Sequence, residues 1–340
     1  MGGLNKGVIV MTIRLATLLI SSVLAFSPAA ATPLPAVVTR IALHDGGWDT
    51  LTVDPASKRV LIARSDGVDA VDIQTGAVTP RLISGTRFHG VTVVPGTPLA
   101  VASQAAGSAI VFNVRTGKIS GEVKTDADAD ATIYEPSTRA VWVMNGESGT
   151  ISIVDPLKVA AVGKISVGGS LEFAALDRRG HLFVNVEDKN ELVEIDVHKR
   201  TLIRRIPLEG CQRPTGLTYL SSGVLLSACS NGVAKVTRSS DGQPLADIAI
   251  GPRPDGAFVD EARHRAYIPS GGDGTLAVID TNGSQPRKIA TAQTEVGART
   301  GTVDPSSGSV YLPAAKFGPP PAAGGRPAII PGSVELLVVR

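Results

Sequence analysis

Residues Asp130–Pro156 read DATIYEPSTRAVWVMNGESGTISIVDP, and this stretch decides the fold. It divides into three short strands. Ala131–Tyr134 is followed by a turn at Glu135-Pro136-Ser137-Thr138; Ala140–Met144 is followed by a turn at Asn145–Gly149; Thr150–Val154 completes the unit. Runs of β-branched and aromatic residues between clusters of Gly, Pro, Asn and Ser predict sheet. The same unit recurs along the chain. Aligned on the turn after the first strand, the anchors are Asp54, Val94, Glu135, Asp177, Leu220, Asp260 and Asp304, with gaps of 40, 41, 42, 43, 40 and 44 residues. Near-constant spacing in the low forties, with several short strands per unit, is the signature of propeller blades.

Third strands are predicted at Val68–Ile73, Ala109–Val114, Thr150–Val154, Leu192–Val197, Val233–Thr237, Leu276–Asp280 and Val334–Val339. Outer strands follow at Val78–Ile83, Ile119–Lys124, Thr201–Leu208 and Pro244–Ile250. The last unit ends at Arg340 with no room for a fourth strand, while Val37–Leu43 is a spare strand ahead of the first complete unit. The expectation is therefore an all-β, seven-bladed propeller of four-stranded blades over residues 32–340, with the N-terminal strand closing the last blade. Closure would remove the exposed edges of an open stack.

Composition agrees. The 340 residues are 43% hydrophobic with 37 Gly and 23 Pro, too apolar for disorder and too rich in turn formers for a helical protein. Aromatic content is 4%, so Val, Ile, Leu and Ala must fill the core. Residues 1–31 resemble a signal peptide: Lys6 and Arg14, an apolar run over Leu15–Phe26, and Ala29-Ala30-Ala31 as a cleavage site, with Met11 as a second possible start. The run is 12 residues long, whereas a membrane span needs about 20. This predicts a periplasmic or secreted protein with no membrane span after cleavage. Removing residues 1–31 takes away two basic residues and no acid, leaving 31 of each sign. With no basic excess or stripe, nucleic acid is not the expected partner. Cys211 and Cys229 lie 18 positions apart, and in an exported chain such a pair is expected to be a disulfide. No CxxCH motif is present, so no haem is expected.

The repeats resemble those of the YVTN-type, YncE-like β-propellers exported by bacteria. The matching phrases are Asn145-Gly146-Glu147-Ser148-Gly149-Thr150-Ile151-Ser152-Ile153-Val154-Asp155 and Ser270-Gly271-Gly272-Asp273-Gly274-Thr275-Leu276-Ala277-Val278-Ile279-Asp280, with Pro254-Asp255-Gly256 and Pro214-Thr215-Gly216 ahead of first strands. The resemblance covers residues 36–340 and implies the fold; propellers serve unrelated roles, so it does not imply a chemistry.

Counting five residues back from each anchor gives the mouth of the central channel: Asp49, His89, Asp130, Glu172, Thr215, Asp255 and Arg299. Four carboxylates, an imidazole and a guanidinium at one register point to a ligand-binding face. Oxygen-rich donors suit Ca²⁺ or Mg²⁺ and the histidine admits Zn²⁺, with Asp49, Asp130, Glu172 and Asp255 as candidate ligands. Crowded carboxylates would also raise one another's pKa and leave a protonated acid beside an ionised base. The same groups could equally accept hydrogen bonds from loop amides and line a water-filled tunnel. Second-strand ends on the same face add Arg64 and Asn145, chosen for reach and hydrogen-bonding capacity from a register that otherwise reads as turn residues. A Pro-rich insertion, Gly318–Gly332, emerges there too, as a lid or a plain surface excursion. Asp126-Ala127-Asp128-Ala129-Asp130 begins like a calcium loop, but Ala131 and Ser137 occupy the positions that require Gly and Glu, which excludes an EF-hand. GxSxG, HExxH, Walker and GxGxxG motifs are absent. The sequence thus predicts a monomeric periplasmic binding protein for a small molecule or a protein partner. The alternative is a metal-dependent, lactonase-like hydrolase with a carboxylate-bound cation and His89 as base.

Overall fold

A computed structural model describes residues 1–11, 35–321 and 327–340. The chain divides into two units, Met1–Pro33 and Leu34–Arg340. Residues 1–11 of the first unit carry no regular secondary structure, and the apolar run and cleavage site read as a signal peptide lie outside the described residues.

Leu34–Arg340 forms seven four-stranded antiparallel sheets. Blade 1 comprises β2 (Trp48–Asp54), β3 (Arg59–Arg64), β4 (Gly67–Asp72) and β5 (Val78–Ser84), from the inner to the outer strand. Blades 2 to 6 repeat this order, with inner strands β6 (Phe88–Val93), β10 (Ala129–Glu135), β14 (Leu171–Leu176), β18 (Pro214–Leu220) and β22 (Phe258–Asp260). Blade 7 is built from β26 (Thr302–Val303), β27 (Val310–Ala314) and β28 (Glu335–Val339), and its outer strand is β1 (Val37–Ala42). β1 runs antiparallel to β28, pairing Val37 with Val339 and Ala42 with Glu335. The N-terminal strand therefore closes the ring, as the spare strand in the sequence predicted.

Each strand turns one face to each neighbouring blade, and the buried apolar residues follow that rule. Seven clusters among the described residues each join two adjacent blades. Trp142, Met144 and Ile153 of blade 3 pack with Leu182, Val184 and Val193 of blade 4. Leu336 and Val338 of blade 7 pack with Val60 and Ile62 of blade 1. No blade holds a core of its own, so each needs both neighbours. Among the described residues no helix is long and apolar enough to cross a membrane.

Candidate functional site at the channel mouth

The inner strands are bent at one shared position. In blade 1 Trp48 pairs with Arg64, but the next pair is Leu51 with Ile62, so the inner strand carries one extra residue. The same shift separates Phe88 from Val91, Ala129 from Thr132, Leu171 from Ala174 and Pro214 from Leu217. In blade 6 Pro254 bridges Ser270 while Phe258 pairs with Tyr267, again one residue more on the inner side. Asp49, His89, Asp130, Glu172, Thr215 and Asp255 fall inside these six intervals. A bulge leaves its extra residue out of the ladder and re-aims the side chain, which is how a strand residue comes to face a channel mouth.

Five of the six bulges, all but that of blade 4, are tied to an adjacent blade. Thr50 Oγ1 donates to the carbonyl of His89 (2.8 Å), Ser103 Oγ to that of Asp130 (2.6 Å) and Asn185 Nδ2 to that of Thr215 (3.0 Å). Thr215 Oγ1 donates to the Pro254 carbonyl (3.1 Å), the Asp255 amide to Arg299 (3.1 Å) and Thr300 Oγ1 to Asp49 (2.7 Å). These clips join neighbouring blades at every junction except that of blades 3 and 4 among the described residues. Glycines make room for them: a Cβ on Gly90 would lie 2.5 Å from the Asp130 carbonyl oxygen, and one on Gly216 would lie 2.4 Å from the Gly256 carbonyl carbon.

The side chains so presented converge in two groups. His89 Nδ1 lies 2.7 Å from Asp49 Oδ2 and 3.4 Å from Asp130 Oδ1. One ligand atom from each of Asp49, His89 and Asp130 falls within 4.8 Å of the others. His89 Nε2 is buried without a hydrogen-bond partner, 4.0 Å from Asp128 Oδ1. In the second group, from blades 6 and 7, Arg299 Nε donates to Asp255 Oδ2 at 2.7 Å, and its Nη2 to the Trp48 carbonyl at 3.3 Å, beside Asp49. Glu172 makes no side-chain hydrogen bond among the described residues.

Burial and crowding set the protonation states. Burial pushes the Asp130 carboxyl well above the ordinary range, the charge of Asp49 adds to this, and His89 opposes it. Glu172 is likewise raised well above the ordinary value, by burial first and then by Asp130 and Asp255. Asp255 is raised by burial against the opposing pull of Arg299. Burial disfavours the imidazolium of His89, but the hydrogen bond and charge of Asp49, with Asp130 behind it, leave its pKa raised. The mouth therefore sets carboxyls of raised pKa beside an imidazole whose own pKa is also raised, so the charge on each group depends on its neighbours.

Three residues of the sequence reading are placed differently from the rest. Arg64 has no exposed surface: it donates to the carbonyls of His44 (2.6 Å), Gly47 (3.1 Å) and Gly46 (3.2 Å), and lies 3.2 Å from the buried Asp69. Its fork is occupied by the loop that leads into β2. Asn145 is also fully buried, donating to Thr150 and Ser152. Thr215 is buried and acts as one of the blade clips. These side chains brace the mouth from behind. Asp128 is the residue that sequence register missed. It stands in the Asp126–Asp130 run, two positions before the ring residue, and a left-handed backbone (φ 56°), which Asp tolerates, turns it toward His89.

Cys211 and Cys229 form the expected disulfide, joining the loop before β18 to the end of β19 (Val224–Cys229). In the Pro-rich insertion Gly318 donates to Ala328 and Ile330 to Lys316, so its two legs pair, and Phe317 packs against Trp48 with ring centroids 6.4 Å apart. Its tip, residues 322–326, lies outside the described residues.

No protein-family model matches the chain, and no curated protein matches its sequence. Solved structures do. The hydrazine synthase of Kuenenia stuttgartiensis superposes with a TM-score of 0.70 at 14% identity, over 79% of this chain and 94% of that one. The WD40 repeats of RRP9 give 0.74 at 10% identity over 91% and 99%. A chain of the mitotic checkpoint complex gives 0.75 at 11% identity over 97% and 99%. At such identities the likeness is one of fold, and what it shows is that this chain is a β-propeller.

Proposed function

We propose that the chain is an exported periplasmic binding protein whose channel mouth holds a small ligand carrying positive charge, a divalent cation being the simplest of that class. The observation that carries this reading is the convergence of Asp49, His89 and Asp130, from three blades, to within 4.8 Å. Two carboxylates and an imidazole with open positions around them are a donor set for a borderline or hard cation. Glu172 and Asp255 add acid around it, although Asp255 is already engaged by Arg299. Export is supported by the pattern of residues 1–31 and by the disulfide. The test is a thermal titration of chelator-treated protein with Ca²⁺, Mg²⁺ and Zn²⁺. One of the ions should raise the midpoint, by about 2.7 kcal/mol of stability at a hundredfold excess over Kd. Asp130→Asn and His89→Ala should abolish the rise. An unmoved midpoint with all three ions, and no metal by elemental analysis after tag-free purification, removes the cation.

The second reading, a metal-dependent hydrolase, is favoured by the same donor set. A bound cation would supply a polarised water. Glu172, which makes no side-chain hydrogen bond among the described residues and has a raised pKa, and His89 are the chain's own groups for moving its proton. Turnover of lactone esters that is lost on chelation and in Glu172→Gln distinguishes this reading from binding alone.

A further inference from the structure

A cavity lies toward the ends of the inner strands away from the ring residues. It has a volume of about 720 Å³ and spans blades 3, 4 and 5. Its walls include residues from the later halves of β10, β14 and β18: Ile133 and Tyr134, Ala174 and Leu176, Leu217 and Tyr219. The ring residues Asp130, Glu172 and Thr215 are the second residues of the same strands, so the two features lie toward opposite ends of the inner strands and share no residue. The volume falls within the 300–1,000 Å³ range of small-molecule sites.

The chemistry of the cavity is uneven. Two tyrosines, of four in the chain, line it, and neither hydroxyl makes a hydrogen bond among the described residues. At its rim stand Arg178 and Arg179, both exposed, with no ion pair or side-chain hydrogen bond among the described residues. They also line an adjoining cavity of about 400 Å³ that shares Leu176 and Tyr219 with the first. The turn that presents them is fixed, because Asp177 accepts from the amides of Arg179 (2.7 Å) and His181 (3.0 Å). The neighbouring acids are committed elsewhere. Glu135 accepts from the amides and hydroxyls of Ser137 and Thr138, Glu261 from Ser221, and Asp177 also holds the His181 ring at 2.7 Å. An apolar chamber with two free phenols and two uncommitted guanidiniums on a rigid turn matches a ligand with an apolar body and one anionic group.

We propose that this cavity is a binding site for a small organic anion with a flat apolar body, separate from the channel mouth and opposite to it in charge preference. The probe is 1-anilinonaphthalene-8-sulfonate, with uncharged N-phenyl-1-naphthylamine as its control, each titrated by fluorescence and calorimetry. The expected result is saturable binding of the sulfonate at one site per chain, weakened about tenfold or more in Arg178→Gln/Arg179→Gln. Binding of the uncharged control should be unaffected by that double change, and Tyr219→Ala should weaken both. Asp130→Asn, which alters the channel mouth, should leave both affinities as they are. Both arginines are exposed, and an unchanged melting temperature verifies that their replacement leaves the fold intact. The proposal is overturned by sulfonate binding that does not saturate, that survives the double arginine change at full strength, or that is lost in Asp130→Asn instead.

Discussion

Glu135 is buried and Glu172 half-buried, and their surroundings drive the two carboxylates in opposite directions. Burial alone would raise Glu135, but hydrogen bonds from Thr138 and Ser137 outweigh it and lower its pKa. Such a group stabilises the fold above the ordinary carboxylate pKa, and that contribution is lost as pH falls through the depressed value. Glu172 has no such donors, and burial with Asp130 and Asp255 raises its pKa. The native state then holds a proton that the unfolded state releases, so stability declines as pH rises above the ordinary carboxylate value. Two substitutions of like chemistry should therefore act with opposite signs. Glu135→Gln should cost about 1 kcal/mol at pH 7, by leaving buried turn amides poorly paired, and the cost should fade in acid. Glu172→Gln should raise the melting temperature at pH 8 by roughly 1–3 °C, with the gain vanishing near pH 4. Melts of both variants across pH 3–9, in chelator, check this; a Glu172→Gln profile parallel to that of the parent protein would show that its carboxyl is not raised. Asp54 and Asp304 fill the Glu135 role in blades 1 and 7, each accepting from the amides two and three residues ahead. That local chemistry is why the blade period stood out in the sequence. An acid followed by small polar residues writes its own turn.

The inner strand is the element on which the site depends, and its bulge could not be read from the sequence. A bulge is a mismatch between two strands, visible only when the partner's register is known. Counting from the turn gives the same bulge interval each time, because the bulge recurs in six blades and preserves the count from blade to blade. Arg64 and Asn145, assigned by the sequence to a ligand face, are buried and engaged internally. Side-chain length suggested reach, but the backbone carbonyls of His44, Gly46 and Gly47, which consume the guanidinium, are exposed to it only by the folded path of the entering loop. The bulge itself can be tested at Gly90. Any Cβ there would meet the Asp130 carbonyl at 2.5 Å and Ser103 Oγ at 2.7 Å, both parts of the clip between blades 2 and 3. Gly90→Ala should cost about 1–3 kcal/mol in urea unfolding. It should also weaken cation binding at His89 and Asp130 more than Gly96→Ala does, since a Cβ at Gly96 meets nothing within 4 Å and its cost, from a backbone at φ +77°, falls on stability alone. Equal effects at the two glycines would mean that the bulge does not position the site. On blade 5, Cys211→Ser/Cys229→Ser opens a loop whose closure is worth about 3 kcal/mol in the chain-entropy model, and calorimetry of that variant measures it.

At the scale of the whole molecule, stability is a property of the circle. Each apolar cluster belongs to two blades, so removing one blade's contribution opens the cores on both sides of it. The junction of blade 7 with blade 1 differs from the other six in chain connectivity, because its outer strand comes from the opposite end of the chain. β1 is joined to β28 by the ladder from Val37–Val339 to Ala42–Glu335 and by Ala36 and Arg340, which exchange backbone hydrogen bonds of 2.8 and 3.0 Å. Next to it Leu43 donates to Val334, and Gly332 donates to Asp45. Cutting the chain back to Asp45 removes this strand, exposes the edge of β28 and uncovers Leu337 and Val339. A blade of three strands would leave an unpaired ladder on an otherwise closed ring, and the loss should spread through both adjoining clusters. The truncated protein should therefore melt more than 10 °C lower, in one cooperative step, and should associate through the bare edge at micromolar concentration. Supplying a peptide of residues 35–45 in trans should restore most of the lost stability, because the missing strand pairs through its backbone. A truncation that melts at the parent temperature would mean that the ring holds without its N-terminal strand.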